Sequence, residues 1–155
     1  MGLKAFFKGD LDRLFSATLD EVHAQIIESL CRVGEQAVKL AKLIPPERGF
    51  RDHTHNLRAS IGYVVFVDRK PVNIYFETQD SKGQTGVTEG QRLALEVGSK
   101  TNAPYALIVV AGMNYAVHVE SKGRDVLTSA EKFAEKEMAK ELADLITNVK
   151  NAIKK

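Results

Sequence analysis

The chain has a single cysteine, no tryptophan, only four prolines and no long apolar run. One thiol, Cys31, cannot close an internal disulfide, which excludes the disulfide-stapled class of small secreted domains. No stretch approaches the roughly 20 apolar residues that a helix needs to cross a bilayer. The opening, MGLKAFFKGD, turns polar too soon for a signal peptide, and Phe6 stands where N-myristoylation needs Ser or Thr. The resulting expectation is an intracellular location, at least at synthesis. An excess of one charge is lacking too. The 22 basic and 20 acidic residues leave a net +2, too little to mark a nucleic-acid binder by itself. No Gly-x-Ser-x-Gly elbow occurs, and no cysteine–histidine pair has the context of a nucleophilic site.

What is present is an ordinary globular composition, 44% apolar and 27% charged, in 155 residues that fit one domain, 1–155. Apolar residues recur in steps of three and four from Leu11 through Phe15, Leu19, Val22, Ile26 and Leu30 to Ile44, the spacing of one helix face. Asp10 reads as its N-cap, and Pro45-Pro46 stops it. Such a helix is about 50 Å long, more than the width of a compact domain of this size. It therefore breaks, most cheaply at Gly34, or projects onto a neighbouring copy. After the polar segment ERGFRDHTHNLRAS, the runs Ile61–Asp68 and Val72–Thr78 read as a hairpin around Asp-Arg-Lys-Pro.

Gln79–Gly90 (QDSKGQTGVTEG) reads as a flexible loop, and QRLALEV as one or two helical turns. ALIVVAG and YAVHVES read as a second strand pair joined by Gly112-Met113-Asn114. Thr128-Ser129-Ala130-Glu131 matches a capping box and opens a last amphipathic helix carrying Met138, Leu142, Leu145 and Val149. The expected fold is α+β: a small bent antiparallel sheet flanked by a long N-terminal helix and a C-terminal helix.

Three sets of residues bear on chemistry. His118-x-Glu120 resembles the His-x-Glu of zinc deaminases, but the Pro-Cys-x-x-Cys those sites need is missing. Read as a strand, the segment puts His118 and Glu120 on one face, and Val117 and Val119 on the other, toward the core. His53-x-His55 supplies two metal ligands if His118 or Glu120 completes the set, and this defines the alternative reading, a small metal-binding hydrolytic enzyme. Arg48, Arg51 and Arg58 around Phe50 form a basic loop suited at most to weak, non-specific phosphate contact. GSKT at Gly98–Thr101 lacks the glycine spacing of a phosphate loop.

Two stretches carry a resemblance. AVKLAKLIPPERGFRDHTHNLRASI is similar to the Ala-Lys, proline, Gly/Thr loop and Leu-Arg-x-Ser-Ile pattern of the tail-component and tail-completion (head–tail connector, neck) proteins of long-tailed bacteriophages. LIVVAGMNYAVHVESKG resembles that family's Tyr-Ala-x-x-Val-Glu followed closely by glycine. By position, Thr54, Leu57, Arg58, Ser60 and Ile61 match the first motif, and Tyr115, Ala116, Val119, Glu120 and Gly123 the second.

The resemblance implies a structural virion or prophage protein that forms a homo-oligomeric ring, commonly sixfold, between the portal-side connector and the tail tube. It implies no catalysis, no cofactor and no metal, and a location in the virion after assembly in the host cytoplasm. It assigns those ten residues to fold and subunit contacts, with the body of Tyr115 buried and Glu120 at a subunit contact, so that Glu120→Lys hinders assembly and spares monomer stability. Thr128 then caps the last helix, Gly123 turns the chain, and Gln79–Pro104 is an arm that orders on a neighbour. The chain departs from the pattern at SKGRDVLTSAE, where Asp125-Val126-Leu127 replaces a proline-aromatic turn. It departs again where Gly49 and Thr54 are separated.

Overall fold

The computed structural model describes residues 10–154, with the side chains of Asp10–Thr18 and Ile153 outside the description. The periodic N-terminal segment is one unbroken helix, α1 (Asp10–Lys42). A short helix α2 (Asn56–Ala59) leads into strand β1 (Ile61–Val67), which turns back as β2 (Lys70–Phe76). A single 3-10 turn at Ser81–Gly83 opens α3 (Gln84–Ser99). Strand β3 (Tyr105–Ala111), α4 (Ala116–Ser121) and α5 (Thr128–Ile153) complete the order.

The sheet has the order β2-β1-β3 with both pairings antiparallel. Central β1 is buried on both faces, which its run IGYVVFV supplies. Ile61, Tyr63 and Val65 look toward α1 and α5 with Leu30, Ala37, Val38 and Ala130. Val64 and Phe66 look the other way, into a smaller core with Ala94 of α3 and Val110 of β3. The molecule is thus α+β in three layers, α1/α5, sheet and α3, as the expected class requires. A register shift between Val65 and Phe66 marks a bulge, the device that bends a strand.

Helix α1 does not break at Gly34. A Cβ there would come within 2.7 Å of the Tyr63 ring, so this glycine lets the helix sit close on the sheet. The proposed N-cap, Asp10, has its side chain outside the description. Between Leu19 and Ser29 no α1 residue is fully buried; the buried face begins at Leu30. Ile26 and Leu30 share the core between α1 and α5 with Met138 of α5, and Arg32 pairs with Glu141 at 3.0 Å.

The hairpin turns through Asp68 and Arg69, both at positive φ (49° and 67°), as a two-residue type I′ loop requires. Asp68 donates its amide to Pro104 O at 2.9 Å, and Arg69 Nε donates to Thr101 O at 3.0 Å, which holds the turn.

Three expectations are corrected. Gln79–Gly90 is not a flexible loop, and Gln79–Pro104 is not a free arm: most of it is α3, packed on the sheet. Gly86, Gly90 and Gly98 allow this, since a Cβ at any of them would strike the Asn56 backbone, Ser60 O or the Phe66 ring respectively. YAVHVES is a helix, α4, not a strand, so the sheet has three strands rather than four. Ala116 and Val119 turn into the core at i, i+3, and Val117 is left 77% exposed. Thr128 is the first residue of α5 and makes no capping-box contact.

Candidate assembly surface and basic cleft

The two motif stretches meet at one end of the sheet. Asp52 accepts from the amides of Leu57 (3.3 Å) and Arg58 (2.9 Å), satisfying the first turn of α2. Leu57 and Ile61 are buried beside Ala116, with Val119 against the same core. Ser60 is wholly buried; its hydroxyl donates to Leu57 O at 2.8 Å, and its carbonyl accepts from Gly112 at 3.2 Å. Arg58 lies over the Phe50 ring at 5.3 Å and donates to the Lys42 carbonyl, an orphan at the end of α1. Its guanidinium is therefore committed to the fold and is not part of a free basic loop. Thr54 is exposed.

The second motif holds the α4–α5 corner. Gly123 takes φ +76°, the left-handed turn that ends α4. Glu120 then folds back on α5: its Oε1 accepts from the amides of Val126 (3.3 Å), Leu127 (2.8 Å) and Thr128 (3.1 Å) and from the Thr128 hydroxyl (3.1 Å). The carboxylate thus satisfies amides at the start of α5, where the helix dipole also favours negative charge. This corrects the reading of Thr128 as the cap and gives Glu120 a role inside the chain's own fold. Asp125 adds a second acceptor, for the Ser129 amide at 3.2 Å and for the Ser129 hydroxyl. Tyr115 is 39% exposed, not buried.

The four residues of the metal-enzyme reading are not gathered into one site. His55 stands at positive φ with Nδ1 2.6 Å from Asp80 Oδ2. His55 beside it holds the Asp80 carboxyl below its usual range, and Asp80 also accepts from the Lys82 amide at 3.0 Å. His118 opens onto a different cleft, Glu120 is spent on α5, and His53 is a surface residue of the loop before α2. Among the described residues no three His, Cys, Asp or Glu side chains group as metal ligands.

The cleft at His118, of about 490 Å³, is basic: Arg51, His118, Lys122 and Arg124 line it with one acid, Glu47. Arg124 Nη1 donates to the carbonyls of Pro46 (3.0 Å) and Glu47 (3.2 Å), and Asp125 donates its amide to Arg48 O at 3.0 Å. The loop after α1 and the α4–α5 corner are tied together there. Sequence reasoning found Arg51 but missed Lys122 and Arg124, which lie far along the chain and join it only through the fold. Asp52, Asp80 and Asp125 were also missed; each is an Asp shortly before a helix, a readable cap signal.

Further apolar side chains face outward on α1 and α5: Leu19 (47% exposed), Leu142 (44%) and Ile146 (55%). No helix among the described residues is long and apolar enough to cross a membrane. The class the fold defines is therefore an α+β domain with a three-stranded antiparallel sheet between two helical layers. Set against protein-family models, curated proteins and solved structures, the chain matches none.

Proposed function

We propose that the chain is a structural protein of a phage or prophage neck or tail, forming with copies of itself a ring that joins the head-side connector to the tail tube. The observation that carries this reading is the α1–α5 pair. Its helices run about 50 Å and 39 Å, and Leu19, Leu142 and Ile146 stay uncovered by the chain's own core. Exposed apolar side chains along two helices that flank a small sheet suit a head-to-tail contact, in which each subunit offers two different patches to its neighbours. The fold itself, with long terminal helices about a small antiparallel sheet, agrees with what the resemblance implies. The cleft's basic side chains at Arg51 and Lys122 suit weak, salt-sensitive contact with a passing duplex.

In this reading the ten motif residues serve the fold from which the contact surfaces project, and the protein acts as a virion component assembled in the host cytoplasm. Negative-stain electron microscopy of the purified full-length chain tests it. Annular particles of uniform diameter are expected. Uniform small globules at every concentration would count against it, as would open filaments.

A further inference from the structure

We infer that the free edge of β3 is a strand-addition site for an extended, apolar segment of another protein flanked by lysine or arginine. The inference does not rest on the neck reading. The sheet has two edges, and they differ. Edge β2 is blunted by Lys70, by Pro71 and by the bulge that displaces Val72 from the ladder, all devices that discourage further pairing. Edge β3, YALIVVA, has no proline, no charge and no bulge, and it pairs with β1 in unbroken register from Tyr105 to Ala111. Outside that ladder, no amide or carbonyl of Tyr105–Ala111 has a backbone partner among the described residues. Such an edge presents a row of unmet donors and acceptors, and main-chain hydrogen bonds to an added strand would give affinity.

Beside this edge lies an open groove of about 470 Å³ between β3 and the first half of α5. Leu107, Val109, Leu127 and Met138 form its apolar floor, Glu131 and Glu135 stand along it, and no basic residue lines it among the described residues. An incoming strand would place alternate side chains over that floor, while flanking lysine or arginine stems reach the two carboxylates. The same carboxylates argue against a second copy of this chain. Pairing β3 with its own twin about a two-fold axis would set Glu131 and Glu135 of both chains face to face. Pairing it with a neighbour's β2 would use the blunted edge.

The test is fluorescence anisotropy of the full-length chain with a fluorescein-labelled peptide, Lys-Thr-Val-Thr-Leu-Thr-Val-Thr-Lys. Two versions N-methylated on alternate amides, in the two possible registers, and one with glutamate for lysine are run beside it. The expected result is saturable binding that weakens about tenfold, or 1.4 kcal/mol, for the glutamate peptide and for the E131Q/E135Q variant. One methylated register should abolish binding while the other is tolerated, a signature that adsorption onto an apolar surface does not give. Circular dichroism confirms that the variant is folded. No saturation by about 1 mM, or equal behaviour of the two methylated registers, would overturn the inference. So would a concentration-dependent dimer of the chain alone that the peptide dissolves, since the occupant would then be a second copy.

Discussion

Replacing Glu120 with alanine isolates the contact on which the α4–α5 corner depends. One carboxylate oxygen accepts from three successive amides, at Val126, Leu127 and Thr128, and from the Thr128 hydroxyl. Thr128 is exposed, so its groups turn to water at little cost, whereas Val126 is 1% exposed and Leu127 half-buried. Loss of a helix cap costs about 1 kcal/mol, and each buried amide left unsatisfied adds about 1 kcal/mol or more. The sum is about 2–3 kcal/mol, which for a domain of this size lowers Tm by about 4–12 °C. Glu120→Gln keeps an acceptor and loses only the charge–dipole part, about 0.3–1 kcal/mol. Glu120→Lys should be the worst of the three, since an ammonium would face amide donors. Thermal unfolding followed by far-ultraviolet circular dichroism reads all three. If Glu120→Ala melts within about 1 °C of the parent, the capping argument fails and Glu120 returns to the surface role its motif implied.

Further outcomes follow from the same geometry. Gly34→Ala should not stabilise the chain in urea unfolding, although alanine is favoured over glycine by about 1 kcal/mol in a helix, because its methyl meets the Tyr63 ring; a clear gain would show that α1 does not sit this close. His55 holds the folded Asp80 carboxyl below its unfolded value near 3.8, so its contribution is present above that pH and lost as pH falls through the lower folded value. Asp80→Asn should therefore flatten that acid limb of the urea midpoint, and an unchanged profile would contradict the pairing. Burial pushes the half-buried Cys31 thiol above its usual 9.0. Alkylation by iodoacetamide near pH 7.5, followed by mass, should then run slower than for a free thiol, and a rate equal to free cysteine would contradict it.

The elements legible in the sequence are those whose period matched their burial. The three- and four-residue steps of α1 and α5, and the β-branched runs of β1 and β3, each state one face or two. Helix α3 was hidden because its glycines read as loop signals. They are spent on close approach to Asn56, Ser60 and Phe66, contacts between residues distant in sequence. Segment α4 was hidden because YAVHVES alternates like a strand, yet Ala116 and Val119 also satisfy i, i+3, and only the surrounding core selects the helix. Thr128-x-x-Glu131 looked like a sufficient cap, and the acceptor that wins is Glu120, eight residues before Thr128. The basic cleft was only partly legible, since Arg51 comes from the loop after α1 while Lys122 and Arg124 come from the distant α4–α5 corner.

The proposed ring is tested most directly by native mass spectrometry of the full-length chain purified without chelators. One spectrum reports subunit number and bound metal together. The account predicts one closed stoichiometry, most tellingly six chains, with no metal mass. A bare monomer across the whole concentration range would contradict assembly through α1 and α5, and a monomer carrying one stoichiometric zinc would restore the histidine enzyme in its place.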